Sequence, residues 1–405
     1  MGERTGLHTT ASRFILHTRT NKVHREETML CLNRMLFGRE AAIAMARAAI
    51  GLAAALMLGL SSLSAAETFK PDCFRPAPGT KVMQMKPRPG PYRVALANGF
   101  AGNSWRIQMI QGLKAWAARP ENAKDIKELK VISTGTDVAA QIGAIDNLIA
   151  AGYDAIITIA VSPTSFDPVI KRAKKAGVVL IPFDNVLDSD QVIQVTEPQV
   201  EFETVKAQFV YDNMPEKKGK VLEIRGLPGN AVDRDRSIGF HKVFDNKPGI
   251  DIVTVVGNWD DGTVQKVVSD AIATHGQFSG IVTQHGSTGL MNALNDAKHP
   301  KVPLGTSGEN GSLKMIHDGG WTSISRVQSP LLAVVAMQAA IAELQGKLLP
   351  QLILLPVPTI YSKGLKEGVN YFTNVPDNFQ DGADIPACNA VVPLDELMKQ
   401  KPDNS

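Results

Sequence analysis

The feature that most constrains this chain is a rhythm: short apolar runs alternate with stretches of helical period from residue 92, and the pattern restarts after residue 197. Tyr92–Asn98 (YRVALAN) reads as a strand, and Ile107, Ile110, Leu113 and Trp116 then recur at the spacing of one helix face. Leu129–Ser133, Ala155–Ala160 and Val178–Phe183 predict further strands, separated by helices over 138–149 and 166–176, the latter stopped by Gly177. In the second half, strands over 220–224, 250–256, 280–284, 302–305 and 322–325 alternate with helices over 198–214, 233–245, 262–274, 287–297 and 311–318. An Ala-rich helix over 329–344 and an apolar strand over 352–358 complete the series. Such alternation implies βαβ units around parallel sheets. The runs are apolar throughout because strands of that kind are covered on both faces. The expected fold is α/β, with two doubly wound parallel sheets of similar size and no Gly/Ser linker between them.

The segment before this rhythm is of another kind. Ala48–Leu60 is an uncharged apolar run behind Arg34, Arg39 and Arg47, and Ser64 and Ala66 stand at the −3 and −1 positions of a cut after Ala66. That is the tripartite pattern of a cleaved secretory signal. The run is too short for a membrane span of about 20 residues. Residues before Met35 overfill the basic region, so a true start at Met29 or Met35 is expected. We therefore assign 1–66 to a signal peptide with an over-extended start, and 67–91 to a Pro-rich N-terminal extension.

Removing the signal changes the charge reading. The whole chain carries 43 Lys+Arg against 40 Asp+Glu, but 1–66 holds eight of the former and four of the latter. The remainder is close to neutral, with no clustered basic face to suggest nucleic acid or a membrane surface as partner. Two of the three cysteines, Cys73 and Cys388, lie beyond the cut near opposite ends of the mature chain. In an oxidising destination they are expected to be bonded; the alternative is two unrelated buried thiols.

In open parallel sheets, ligands bind beyond the carboxyl ends of the strands. That rule selects Asn103, Trp105 and Arg106 after the first strand, and Asp184 and Asn185 after the fourth. In the second half it selects Asp233 and Arg234, then Asn258, Trp259 and Asp260, then Gln284 and His285, and last Ser307, Gly308 and Glu309. Aromatic rings suit the C–H faces of a sugar, and charged groups make strong hydrogen bonds to its hydroxyls. Singly, each has a structural alternative: a partly buried ring, a turn aspartate, a salt-bridge partner. Enzyme readings find little support. Gly305-Thr306-Ser307-Gly308 lacks the final glycine of a nucleophile elbow, since Glu309 stands there. The loop after the first strand lacks the G-x-G-x-x-G of a dinucleotide site. No His or Cys cluster has metal spacing, so neither metal nor cofactor is expected.

Taken in order, these segments resemble the ribose-binding, type I class of periplasmic sugar-binding proteins, over about Tyr92–Val357. The segment VALANGFAGNSWRIQMIQGLKAWA resembles the family's first strand and helix, placing Asn103 and Trp105 at binding positions and Arg106 where a second aromatic stands. IPFDN places Asp184 at a binding aspartate, with Asn185 replacing an arginine. LPGNAVDRDRSIGF gives Arg234 a binding role and Arg236 a structural one, and GNWDDGT puts Trp259 at a stacking position. His285 stands for an asparagine, Ser307 for an aspartate, and Gln328 for a hinge-proximal glutamine.

The resemblance implies two lobes joined by a hinge of three crossings. Lobe 1 is expected to hold 92–196 and 329–358, and lobe 2 to hold 197–328 and 359–388, with 389–405 as a C-terminal tail. It further implies a monomeric, non-enzymatic periplasmic protein that binds a small neutral sugar or polyol. Its partner is then an ABC permease and ATPase complex or, alternatively, a chemoreceptor or sensor kinase.

Overall fold

The computed structural model describes residues 73–382 and 384–402. The expected signal over 1–66 and its start lie outside the described residues. Four parallel strands form the first sheet, in the order Ile126–Ser133, Tyr92–Asn98, Ala155–Thr158, Val179–Pro182. Six form the second, in the order Thr359–Tyr361, Ser323–Arg326, Leu304–Thr306, Gly280–Thr283, Gly219–Arg225, Ile250–Val256. Only the edge strand Thr359–Tyr361 runs antiparallel to its neighbour. Two α/β sheets with parallel cores are what the rhythm predicts, and their arrangement agrees with the resemblance.

Burial explains why these runs are strands. Along Tyr92–Asn98, Val94 and Leu96 point into one core with Met109, Leu113 and Trp116, while Ala95 and Ala97 point into another with Ile145, Leu148 and Ile170. That two-residue alternation is the pleat of a sheet covered on both faces. The second sheet repeats it: Leu222 and Ile281 pack with Leu290 and Leu294 on one face, and Val221 and Val282 with Phe240 and Phe244 on the other. Helix ends follow local chemistry. Asn103, Asp137 and Asp260 each accept a hydrogen bond from a backbone N–H three residues on, and Gly177, at φ +70°, stops its helix.

Two short strands, Arg75–Pro76 and Gln194–Thr196, escape hydrophobic periodicity, and they join Leu352–Leu354, the start of the apolar strand expected over 352–358. Gln194–Thr196 pairs in parallel with Leu352–Leu354, which pairs in turn with Arg75–Pro76, and a bridge from Phe183 to Val195 ties this ribbon to the first sheet. Arg75–Pro76 and Gln194–Thr196 are only two and three residues long, too short for a period to show. The chain leaves this ribbon for the second sheet at 197–198, returns through 327–331, and leaves again at 355–358.

A further tie comes from the C-terminal segment. Leu365 and Tyr371 pack in the core of the second sheet, and Asn310 holds Phe372 by two hydrogen bonds, Nδ2 to its carbonyl at 2.9 Å and Oδ1 from its N–H at 2.7 Å. Gln380 then exchanges two hydrogen bonds with the side chain of Gln108 on the first helix, at 3.1 and 3.0 Å. Beyond it, Cys388, Ala390, Val392 and Leu397 are buried in the core of the first sheet. Cys388, grouped by sequence with the second lobe, is thus packed against the first. It is disulfide-bonded to Cys73.

Where this strap crosses, Asp381 is buried and neither carboxylate oxygen has a hydrogen-bond partner among the described residues. Burial pushes its pKa up to about 8. A carboxyl that keeps its proton only when folded stabilises most below its ordinary pKa, and that contribution is lost as pH rises toward the raised value. Asp381→Asn is therefore expected to flatten part of the fall in melting temperature between about pH 4 and pH 8. Thermal unfolding of both proteins across that range checks it; superimposable profiles would contradict it.

Candidate ligand-binding cleft

The carboxyl ends of both sheets face a common cavity whose free space is about 30 Å³. Such a space is far smaller than a ligand pocket, so the walls of the cleft stand closed on one another. From the first sheet, the helix N-terminus after Tyr92–Asn98 contributes Asn103, Trp105 and Arg106, and the end of Val179–Pro182 contributes Asp184. From the second come Trp259 and His285, with Gln328 from the returning crossing. Seven of the residues selected from sequence are brought together here.

Hydrogen bonds fix these side chains. Asn103 caps its helix by accepting from the Arg106 N–H at 2.9 Å, and its Nδ2 donates across the cleft to the Trp259 carbonyl at 3.3 Å. Trp105 Nε1 donates to the Gln328 carbonyl at 3.0 Å. Trp259 Nε1 donates to Gln284 Oε1 at 3.2 Å, so each indole has one edge anchored and its body left for packing. Asp184 accepts from Asn185 Nδ2 at 2.8 Å and from Gln328 Nε2, and Gln328 Oε1 accepts from Arg236 Nη2 at 3.0 Å.

Asp184, Asn258 and Trp259 take positive φ of 59°, 53° and 58°. Such strained backbone at non-glycine residues is held by its surroundings and clusters at ligand sites. A neighbouring glycine makes room for Trp259. A Cβ on Gly226 would fall 1.9 Å from Trp259 Nε1 and 2.0 Å from Cε2. Gly226→Ala is therefore expected to displace the indole and weaken ligand binding about tenfold or more, measured by calorimetry, while the fold persists. Unchanged affinity would mean that the indole does not contribute.

The cleft is strongly charged. Arg106 is buried, donates from Nη1 to Asn98 Oδ1 at 2.6 Å, and lies over the Phe100 ring at 4.7 Å. Burial lowers its pKa to about 10, with Asp184 opposing, so the guanidinium stays charged at neutral pH. Burial raises the pKa of Asp184, against the pull of Arg106 and Arg236. His285 is pushed down to about 4, chiefly by burial, and is neutral at ordinary pH.

The structure redistributes the remaining expectations. Arg234 does not line the cavity: it is 44 % exposed and ion-pairs with Asp188 at 2.8 Å and Asp235 at 2.8 Å. Arg236, read from sequence as structural, lines it in place of Arg234, together with Arg106. Its guanidinium donates to Gln199 Oε1 and the Gln284 carbonyl at 2.8 and 2.9 Å, and lies 4.0 Å over the Phe202 ring. The signal was present. Val232, Arg236 and Phe240 recur every four residues and share the buried face of helix Ala231–Phe244, from which Arg234 is rotated away.

Asn185 and Ser307 stand behind the lining. Asn185 orients Asp184 and accepts from the Val232 N–H at 3.3 Å; Ser307 Oγ donates to Glu309 Oε1 at 3.0 Å. Gln284, the strut of Trp259, and Glu309, which lies beside His285, were named at strand ends but were not carried into the candidate site. Both are polar residues at strand ends, the same signal that selected their neighbours. Among the described residues, no group of three or more His, Cys, Asp or Glu is arranged to hold a metal ion, and no helix is long and apolar enough to cross a membrane.

A fold of two α/β sheets with a polar, aromatic cavity between their carboxyl ends defines a solute-binding class. The family described as periplasmic binding protein domain matches residues 94–348, more than half of the chain, and the chain belongs to it. It is similar to the ribose import binding protein of Bacillus subtilis, 22% identical over 270 residues, covering 66% of this chain and 86% of that one. It is also similar to a xylitol-binding protein of Mycolicibacterium smegmatis, 24% identical, covering 63% and 74%. Among solved structures it resembles an ABC transporter solute binding protein from Thermobispora bispora, with TM-score 0.62, 26% identity and coverage of 67% and 86%.

Proposed function

We propose that this protein binds one small sugar or polyol in the cleft and delivers it to an ABC importer from the periplasm, without catalysing a reaction. The observation that carries the reading is the cavity itself. Two indoles anchored at one edge, Trp105 and Trp259, stand with charged and polar groups that hold many hydrogen-bonding valences in little space. Apolar ring faces with directed polar groups suit a polyhydroxyl carbon chain. Leaving such buried groups unpaired is costly, which sets selectivity among hydroxyl patterns. The named ligands of its relatives, ribose and xylitol, belong to this chemical class.

The test is uptake in the native host. A strain lacking this protein is expected to lose high-affinity uptake of the sugar that binds the purified protein. Intact uptake with loss of a chemotactic or transcriptional response would instead assign it to a receptor pathway.

A further inference from the structure

We propose that the C-terminal strap and the core of the first sheet enclose a second binding site, separate from the cleft, for a small amphiphile with an ammonium head and an apolar body. The site is a cavity of about 340 Å³, large enough to count among small-molecule pockets. Leu331, Val392 and Leu397 line it from the core of the first sheet, in which all three are buried. Phe372, Val375 and Phe379, half-buried on the strap, line it as well. None of the residues around it lines the cleft between the sheets.

One polar group in this apolar lining points to a ligand. Asp381 lines the cavity, is 1 % exposed, and has no hydrogen-bond partner on either carboxylate oxygen among the described residues. Its backbone is fixed, with the N–H donating to the Gly308 carbonyl at 3.0 Å, so the carboxyl is held in place without being paired. The neighbouring Gln108 amide is taken up by Gln380, donating to its carbonyl and accepting from its N–H. Buried polar groups are nearly always paired, and an orphaned acceptor is destabilising until a donor reaches it.

The rest of the lining selects the donor. No lysine or arginine is part of it, and the other charged residue is Asp384, exposed, with Oδ1 accepting from the Val392 N–H at 3.0 Å. Two carboxylates without a counter-charge favour a cation and disfavour an anion. A bare metal ion finds too few ligands, since no group of three or more His, Cys, Asp or Glu is arranged to hold one among the described residues. An alkylammonium has both parts that the cavity asks for. Its N–H groups make charge-assisted hydrogen bonds to a carboxylate, and its carbon body leaves water for the phenylalanine, valine and leucine side chains. Val369 and Leu394, 61 % and 37 % exposed, belong to the same lining and open it to solvent.

Isothermal titration of the mature, disulfide-bonded protein at neutral pH with cyclohexylmethylamine and with cyclohexylmethanol tests the site. The two probes share an apolar ring and differ in charge. The amine is expected to bind saturably, one per chain, with Kd of about 1 mM or tighter, and the alcohol about tenfold or more weaker. Asp381→Asn is expected to remove that difference. Asp184→Asn, which alters the buried carboxyl of the other cavity, is expected to leave amine binding as in wild type, so the result does not depend on the sugar reading. Should Asp381→Asn fail to fold, Leu394→Arg sets a like charge at the exposed edge and is expected to weaken the amine about tenfold or more. No saturable heat from the amine up to about 10 mM would overturn the proposal. So would equal binding of amine and alcohol to wild type, or loss of the amine in Asp184→Asn with none in Asp381→Asn.

Discussion

Asp184→Asn is expected to weaken binding of the cognate sugar about thirtyfold to a hundredfold, equivalent to about 2–3 kcal/mol. The carboxylate is buried, and its oxygens already accept from Asn185 and Gln328. A ligand hydroxyl that donates to it makes a charge-assisted hydrogen bond in a site closed to water, the strongest kind the cleft offers. Asparagine keeps the shape and tolerates the positive φ of 59°, so the loss reads the charge rather than the backbone. It also presents an N–H₂ group where a second acceptor was needed. Arg234→Ala is the control. Its exposed pairs with Asp188 and Asp235 are of a kind that contributes little, and its affinity is expected to stay within a few-fold of wild type. Calorimetry on Arg234→Ala tests its exclusion from the cleft as well: a large loss would mean that the cleft is assembled differently in solution.

Replacing both cysteines by serine is expected to destabilise the protein by about 2–5 kcal/mol, the usual cost of removing a native disulfide. Cys73 and Cys388 are 315 residues apart in sequence, so the bond closes almost the whole described chain. In the chain-entropy view, a loop of that length lies at the upper end of the range. The bond also pins the C-terminal strap beneath the core that holds Val392 and Leu397. Chemical denaturation of the double variant, compared with wild type under oxidising conditions, gives the difference directly. A midpoint shift near zero would mean that packing of the strap holds it without the bond.

How far the sequence carried this account depended on the length of each signal. Tyr92–Asn98 was legible because its four consecutive apolar residues, Val94–Ala97, mark a strand covered on both faces. Gln194–Thr196 and Thr359–Tyr361 were not, since three residues in a crossing show no period. In the cleft, Asn103, Asp184 and His285 were found by a topological rule that needs only the strand ends. Arg234 was misplaced because that rule ignores rotation about a helix axis: two residues on, Arg236 occupies the inward face. Glu309 was named at its strand end and as the wrong residue for a nucleophile elbow, but was not paired with His285. Its place beside His285 depends on the order of neighbouring strands, which pairing in space sets and one-dimensional pattern does not.

The central claim is that the cavity between the two sheets holds a sugar or polyol. Isothermal titration of the mature protein with a panel of pentoses, hexoses and polyols tests it most directly. The expected result is saturable heat from at least one of them, with one ligand per chain and affinity lost in Asp184→Asn. No heat from any neutral polyhydroxyl compound, with saturable binding of an amino acid or peptide instead, would contradict it.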